Sequence, residues 1–212
     1  SFTAIVIDRT DSFGSISKAD IEIQLKDIVD ETKENEQISL FAVEPTEKAP
    51  LHSLIEVCNP GNPDEADQWT QNPDLITHNW KTKFQAPLDA LLNSLLVGER
   101  ASHSPIMESI QSVSITALSG KQKSLLPRRI ILISDLLQNS QAWSLYKQQA
   151  DFDAFSTSIQ TRGLNPDLRG VKIELLILQR KAKHRVDEKE LINFWRSWIE
   201  SYGGKITRIL KV

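Results

Sequence analysis

The chain reads as a doubly wound α/β domain, a mostly parallel central sheet with helices on both faces. Three observations predict it. Ala4-Ile5-Val6-Ile7 is a short apolar run of the kind found in strands buried on both faces, and Arg129-Ile130-Ile131-Leu132-Ile133-Ser134 repeats it. Each run ends in a carboxylate, Asp8 in the first and Asp135 in the second. Around them, segments with helical spacing alternate with further strand-like runs, the pattern of βαβ units. Open sheets of this class gather ligands at the carboxyl ends of their strands, so the residues after each run are the first candidates for function.

The elements follow in order. After the first strand, Ser17 to Lys33 carries apolar residues at 19, 21, 25, 28 and 29, which predicts a helix with Ser17 and Asp20 as candidate starts. Ile38 to Val43 and Leu51 to Val57 are the next strands, joined by the polar, Pro-containing Glu44 to Pro50. From Asn59 to Lys83 the composition turns to Asn, Pro, Asp, Gln and Trp without sustained period. A loop or insertion carrying short helices is expected there, at about residues 59–85 of one domain spanning 1–212. Pro87 to Leu96 is a helix, and Ser104-Pro105-Ile106 opens another, with Pro preorganised for the first helical position and Ser104 as N-cap. After the Arg129 to Asp135 strand, Trp143 to Thr161 is predicted helical and Val171 to Leu178 a strand. Asp187 to Tyr202 is an amphipathic helix whose Leu191, Trp195, Trp198 and Tyr202 share one face, stopped by Gly203-Gly204 before a last strand, Lys205 to Val212.

Composition narrows the function classes. A chain of 212 residues with 40% hydrophobic content can bury one sizeable core. A net charge of -3 and a pI near 5.8 leave no overall footprint for nucleic acid or an anionic membrane, so no nucleic-acid partner is expected. Cys58 is the only cysteine, which excludes an intrachain disulfide, and it is expected to be a small buried apolar residue. No stretch approaches the roughly 18 apolar residues that span a bilayer, and no charged start with an apolar core marks a signal peptide. The expectation is a soluble domain, cytoplasmic or exported as part of a longer chain. Its start at Ser1, almost inside a strand, suggests a fragment, with any membrane attachment through a missing segment.

The chemistry sits after the first strand. Asp8, Thr10 and Ser12 alternate along one loop, and carboxylate and hydroxyl oxygens are hard ligands suited to Mg²⁺, Mn²⁺ or Ca²⁺. Two carboxylates brought to one sheet edge repel unless a cation or proton compensates them. Asp and Ser after strands also cap helices and make turns, the competing structural role.

In element order and in these motifs the chain resembles a von Willebrand factor A-type domain. The resemblance rests on a first strand ending in Asp-x-Thr-x-Ser, a middle loop with a hydroxyl residue and a central strand ending in Asp. It implies a metal-ion-dependent adhesion site formed by Asp8, Thr10 and Ser12 from the first loop, Ser104 from the second and Asp135 from the third, with Ser102 as the alternative to Ser104. It also implies a non-enzymatic module that binds an acidic residue of a partner protein through a divalent cation. Thr10 stands where Ser is commoner and Ser104 where Thr is usual, each keeping its hydroxyl. Leu136-Leu137 follows Asp135 in place of a small or glycine residue, a departure in the third loop.

The enzyme alternative is a haloacid dehalogenase-type phosphatase or another Mg-dependent hydrolase with Asp8 as nucleophile. Its acid–base Asp would stand at position 10, where this chain has Thr, and no Ser-His-Asp spacing or phosphate-cradling glycine loop replaces it. His52, His78, His103 and His184 are scattered, with no pair at ligand spacing. Trp69 and Trp80 are expected to pin the 59–85 segment to the core. The basic run Arg180, Lys181, Lys183 and Arg185 follows a strand, as the adhesion-site loops do, and is the candidate surface for steering an acidic partner.

Overall fold

A computed structural model describes residues 1–10, 13–45, 51–62, 72–97, 101–120, 123, 125–179 and 186–212. Six strands form one sheet: β1 (Phe2–Ile7), β2 (Gln37–Ala42), β3 (Ile55–Cys58), β4 (Arg128–Ser134), β5 (Val171–Ile177) and β6 (Lys205–Lys211). Their order is β3-β2-β1-β4-β5-β6, and every pairing is parallel except that of β2 with β3.

The strands' apolar runs explain the layers. In a strand alternate side chains leave opposite faces, and in the central strands both faces are buried. Ala4, Val6, Ile130, Leu132, Ile173 and Leu175 join one core; Ile5, Ile7, Ile131, Ile133 and Leu176 join the other. The first core is covered by α4 (Ile106–Thr116), α5 (Phe152–Thr157) and α6 (Glu188–Ser201), and the second by α1 (Ser15–Asp30) and α3 (Ala86–Leu95). This is the doubly wound α/β, Rossmann-like architecture that the alternating pattern predicts.

Several expectations are corrected. Helix α1 starts two residues before Ser17, with Gly14 at its N-cap and no side-chain cap, while the Ser17 hydroxyl donates to the Val212 carbonyl at 3.3 Å. Only Ile55–Cys58 of the 51–57 segment is strand. Cys58 is exposed there, because a residue on an edge strand's outer side has no helix above it.

The 59–85 stretch is helical over much of its described length. Helix α2 (Pro73–Trp80) begins at Asn72, whose side chain accepts from the Asp74 and Leu75 amides, and runs without a break through a wider π-turn, Lys81–Gln85, into α3. Pro87 has no N–H to return to the preceding turn, and the widened turn lies just before it. Trp80 packs against the second core, as a pinning residue should; Trp69 lies outside the described residues.

The predicted 143–161 helix is reduced to α5 and one 3-10 turn, Gln160–Gly163. Local side-chain bonds replace the helical ladder. Ser140 Oγ accepts from the Ala142 and Trp143 amides, and the Asp151 side chain takes the Asp153 and Ala154 amides to start α5 late.

Helix α6 follows its apolar stripe. Asp187 caps it through the Lys189 and Glu190 amides, and Leu191, Phe194, Trp195, Trp198 and Ile199 are buried. Gly203 ends it at φ +83, a left-handed turn in which a Cβ would stand 2.7 Å from the Arg169 side chain. Among the described residues, no helix is long and apolar enough to cross a membrane.

Candidate functional site

From β1 the chain builds outward through β2 and β3 on one side, and through β4, β5 and β6 on the other. Ligand sites of open sheets form at such a reversal. The Asp8 amide donates to the Ile133 carbonyl at 2.9 Å, which sets Asp8 beside the carboxyl end of β4. Asp8 and Asp135 thus follow directly on two adjacent parallel strands.

Asp8 is wholly buried and its carboxylate accepts four hydrogen bonds. Thr10 gives Oδ1 both its amide, at 3.1 Å, and its hydroxyl, at 2.6 Å. The hydroxyls of Ser104 and Ser134 reach Oδ2 at 3.0 Å and 2.8 Å. These bonds compensate the buried charge. They also orient the hydroxyls: each has one proton, and with it aimed at Asp8 the oxygen meets any incoming group as an acceptor.

Burial sorts the cluster into two depths. Thr10, Ser104 and Asp135 keep 7% of their surface exposed, whereas Asp8 and Ser134 keep none. Ser134 Oγ also accepts from the Leu136 amide at 2.9 Å, so it serves as a brace below the rim. Asp135 turns back on its own loop, Oδ1 accepting from the Leu137 amide at 3.0 Å.

The three loops are tied to one another. Ser104 and Asn139 exchange two backbone hydrogen bonds, at 2.8 Å and 2.9 Å, and the Ala101 amide donates to the Thr10 carbonyl at 2.9 Å. Asn139 Nδ2 holds the Ser102 carbonyl at 2.7 Å. The Leu136-Leu137 departure takes a definite shape: Leu136 is fully buried in the left-handed region at φ 63, and the Trp195 indole N–H donates to its carbonyl at 2.8 Å.

The sequence-based candidates divide accordingly. Asp8, Thr10 and Ser104 are joined by hydrogen bonds, and Asp135 follows β4 at the same sheet edge. Ser12 and the basic residues Arg180, Lys181, Lys183 and Arg185 lie outside the described residues. Ser102 is no alternative to Ser104, since its exposed hydroxyl pairs with His103 Nδ1 at 2.9 Å. Ser104 is not the N-cap of α4: Pro105 holds that position without a side-chain bond, and the Met107 amide donates instead to Gln138 Oε1 at 2.8 Å. Ser104's hydroxyl is committed to Asp8.

Sequence reasoning missed Ser134 and Gln138. A hydroxyl in the last position of an otherwise apolar, two-sided strand is a readable signal for Ser134. Gln138 offers none, because its role depends on a helix that begins 32 residues earlier in the chain.

The donor chemistry fits a hard divalent cation: hydroxyl and carboxylate oxygens, with no sulfur or imidazole among them. Among the described residues no group of three or more His, Cys, Asp or Glu comes together, so the set is one of hydroxyls with two acids. The same bonds argue against Asp8 as a nucleophile. A carboxylate with no exposed surface, and both oxygens engaged, is built to position its neighbours.

No protein-family model and no curated protein sequence matches the chain. Among solved structures it is similar to the conserved hypothetical protein BatB from Bacteroides thetaiotaomicron, with a TM-score of 0.51 at 11% identity, covering 100% of this chain and 91% of that one. It is also similar to an aerotolerance-related membrane protein from Bacteroides fragilis, crystallised with multiple mutations to serines, with a TM-score of 0.47 at 12% identity over 100% of this chain and 90% of that one. At such identities the likeness to BatB is one of fold, and it agrees with the mostly parallel, Rossmann-like α/β sheet described above.

Proposed function

We propose that this domain is a non-enzymatic protein-interaction module that holds a divalent cation, Mg²⁺ or in its place Mn²⁺ or Ca²⁺, and through it engages an acidic residue of a partner protein. The observation that carries the reading is the convergence of Thr10, Ser104 and Ser134 on the buried Asp8 carboxylate. Asp8 and Ser134 act as the floor. Thr10, Ser104 and Asp135 would hold the cation from the rim, with Ser12 completing the set. When bound, the cation supplies an electrophilic position open to one more carboxylate. The chain's own part is to present oriented hydroxyl oxygens and to limit the negative charge around them.

The basic run Arg180, Lys181, Lys183 and Arg185 extends this reading to the partner. It follows β5, whose carboxyl end lies on the same sheet edge as those of β1 and β4, and Gln179 just before it is fixed by the Val212 carbonyl at 3.0 Å. Four positive residues there would speed the approach of an acidic surface.

Titration calorimetry with millimolar Mg²⁺ and Mn²⁺, paired with thermal unfolding, tests the site. The expected result is binding heat and a raised melting temperature, both abolished in Asp8→Ala. Absence of both effects, with Asp8→Ala melting at or above the parent, would reduce the cluster to a structural one. Turnover of a generic aryl phosphate would reinstate the hydrolase.

A further inference from the structure

We propose that Gln138 is a positioning residue that releases Ser104 from capping helix α4 and so makes its hydroxyl available to the Asp8 cluster. The Ser104-Pro105 sequence is built for a cap. In that role Ser104 Oγ accepts from the amide three residues on, which is the Met107 amide. That amide is already taken: Gln138 Oε1 accepts it at 2.8 Å, and the whole Gln138 side chain is buried. Ser104 Oγ donates to Asp8 Oδ2 at 3.0 Å instead.

The Gln138 amide faces only one way. Its Nε2 donates to Glu108 Oε2 at 2.9 Å, on the first turn of α4, while Oε1 faces the Met107 N–H. Reversing it would set N–H against N–H and oxygen against oxygen. Glu108 therefore fixes Gln138 as an acceptor toward Met107. Gln138 stands three residues beyond Asp135, and its backbone is tied to the same loop through the Leu136 carbonyl at 3.0 Å. One loop thus delivers the rim acid and keeps the rim hydroxyl free.

An inserted glutamine in place of a serine cap has a direct chemical consequence. A capping hydroxyl spends a lone pair on an amide and aims its proton elsewhere; a hydroxyl donating to Asp8 keeps its lone pairs for a ligand. The proposal concerns which group caps α4, and only its metal readout rests on the adhesion-site reading.

The test is amide hydrogen exchange at Met107 in the metal-free protein, with Mn²⁺ titration as the second readout. Ser104→Ala alone should leave Met107 as protected as in the parent, since Gln138 holds it. Gln138→Met, close in volume, should also keep Met107 protected, because Ser104 turns to cap it. The double variant should lose that protection, with exchange faster by about tenfold or more. Mn²⁺ affinity should fall by about 10–100-fold in Gln138→Met, as in Ser104→Ala, and no further in the double variant. Loss of Met107 protection in Gln138→Met alone, or in Ser104→Ala alone, would overturn the proposal; the Ser104→Ala arm decides if Gln138→Met does not fold. If the parent binds no Mn²⁺, the adhesion-site reading fails while the exchange pattern still decides the role of Gln138.

Discussion

The indole nitrogen of Trp195 donates a hydrogen bond to the carbonyl of Leu136 at 2.8 Å, joining the middle of helix α6 to the loop that follows β4. Leu136 sits at φ 63, a conformation that costs a non-glycine residue of order 1–3 kcal/mol and persists only where its surroundings impose it. The indole is one such constraint, and the burial of the Leu136 side chain is another.

Replacing Trp195 separates packing from that hydrogen bond. Trp195→Ala should cost about 3–5 kcal/mol, because the side chain is wholly buried against Phe194 and Trp198. Trp195→Phe retains most of the ring volume and should cost about 1–3 kcal/mol, chiefly for the stranded Leu136 carbonyl. Urea denaturation checks both. A loss below about 1 kcal/mol in the alanine variant would contradict the buried stripe.

Asp8→Asn keeps the shape of the side chain and removes half of its acceptor capacity. One of its two ends must then face donors with a donor, so a loss of about 1–3 kcal/mol is expected in the absence of metal. Metal-induced stabilisation should vanish in the same variant. Thermal unfolding with and without Mg²⁺ reads both quantities in one series.

A surface pair supplies the pH prediction. The Arg169 guanidinium donates to Asp167 through Nε at 2.8 Å and Nη2 at 2.7 Å and holds its carboxyl down to about 2. A depressed carboxyl adds stability that is complete above its unfolded value and disappears as pH falls toward the folded one, here between about 4 and 2. Both side chains are largely exposed, so solvent screening keeps the effect on stability small. In Arg169→Gln, NMR titration should show the Asp167 carboxyl rising toward the ordinary carboxylate value, stopping short of it because the backbone amide of residue 169 still donates to Oδ1 and Arg128 remains nearby. The melting difference from the parent should shrink on acidification; a difference that grows would exclude the pair as its cause.

The basic run is tested by kinetics. With Arg180, Lys181, Lys183 and Arg185 replaced by Gln, association with a pulled-down acidic partner should slow at low salt, with dissociation nearly unchanged. The gap should close as salt rises. An unchanged association rate would remove the run from the interface, and binding that survives chelation would remove the metal.

The strands were legible because two-sided burial demands near-continuous apolar runs, and Ala4 to Ile7 and Ile130 to Ile133 have little other use. Helix α6 was legible for the matching reason, a stripe at helical spacing with Asp187 before it. Helix ends were less so where several polar residues compete for the same amides. Ser104 carries the sequence of a cap, and only the distant Gln138 shows that its hydroxyl is spent elsewhere. Segment 143–161 reads as helix by composition, yet Ser140 and Asp151 divert its amides into turns. Of the candidate site, Asp8 and Asp135 followed from their place after strands; Ser134 was hidden by being counted as strand.

The cluster at Asp8 also dates itself within the life of the chain. Ser104 and Ser134 reach that carboxylate across 96 and 126 residues. During synthesis at about 5–20 residues per second, β1 waits roughly 6–25 s for its second neighbour, β4. Within that interval only β2 is made in time to pair with β1, and the edge of β1 that β4 takes in the finished sheet has no partner yet. The Asp8 cluster is therefore complete only once β4 has joined the sheet at its centre, so whatever chemistry it supports belongs to the finished domain and to none of its nascent stages.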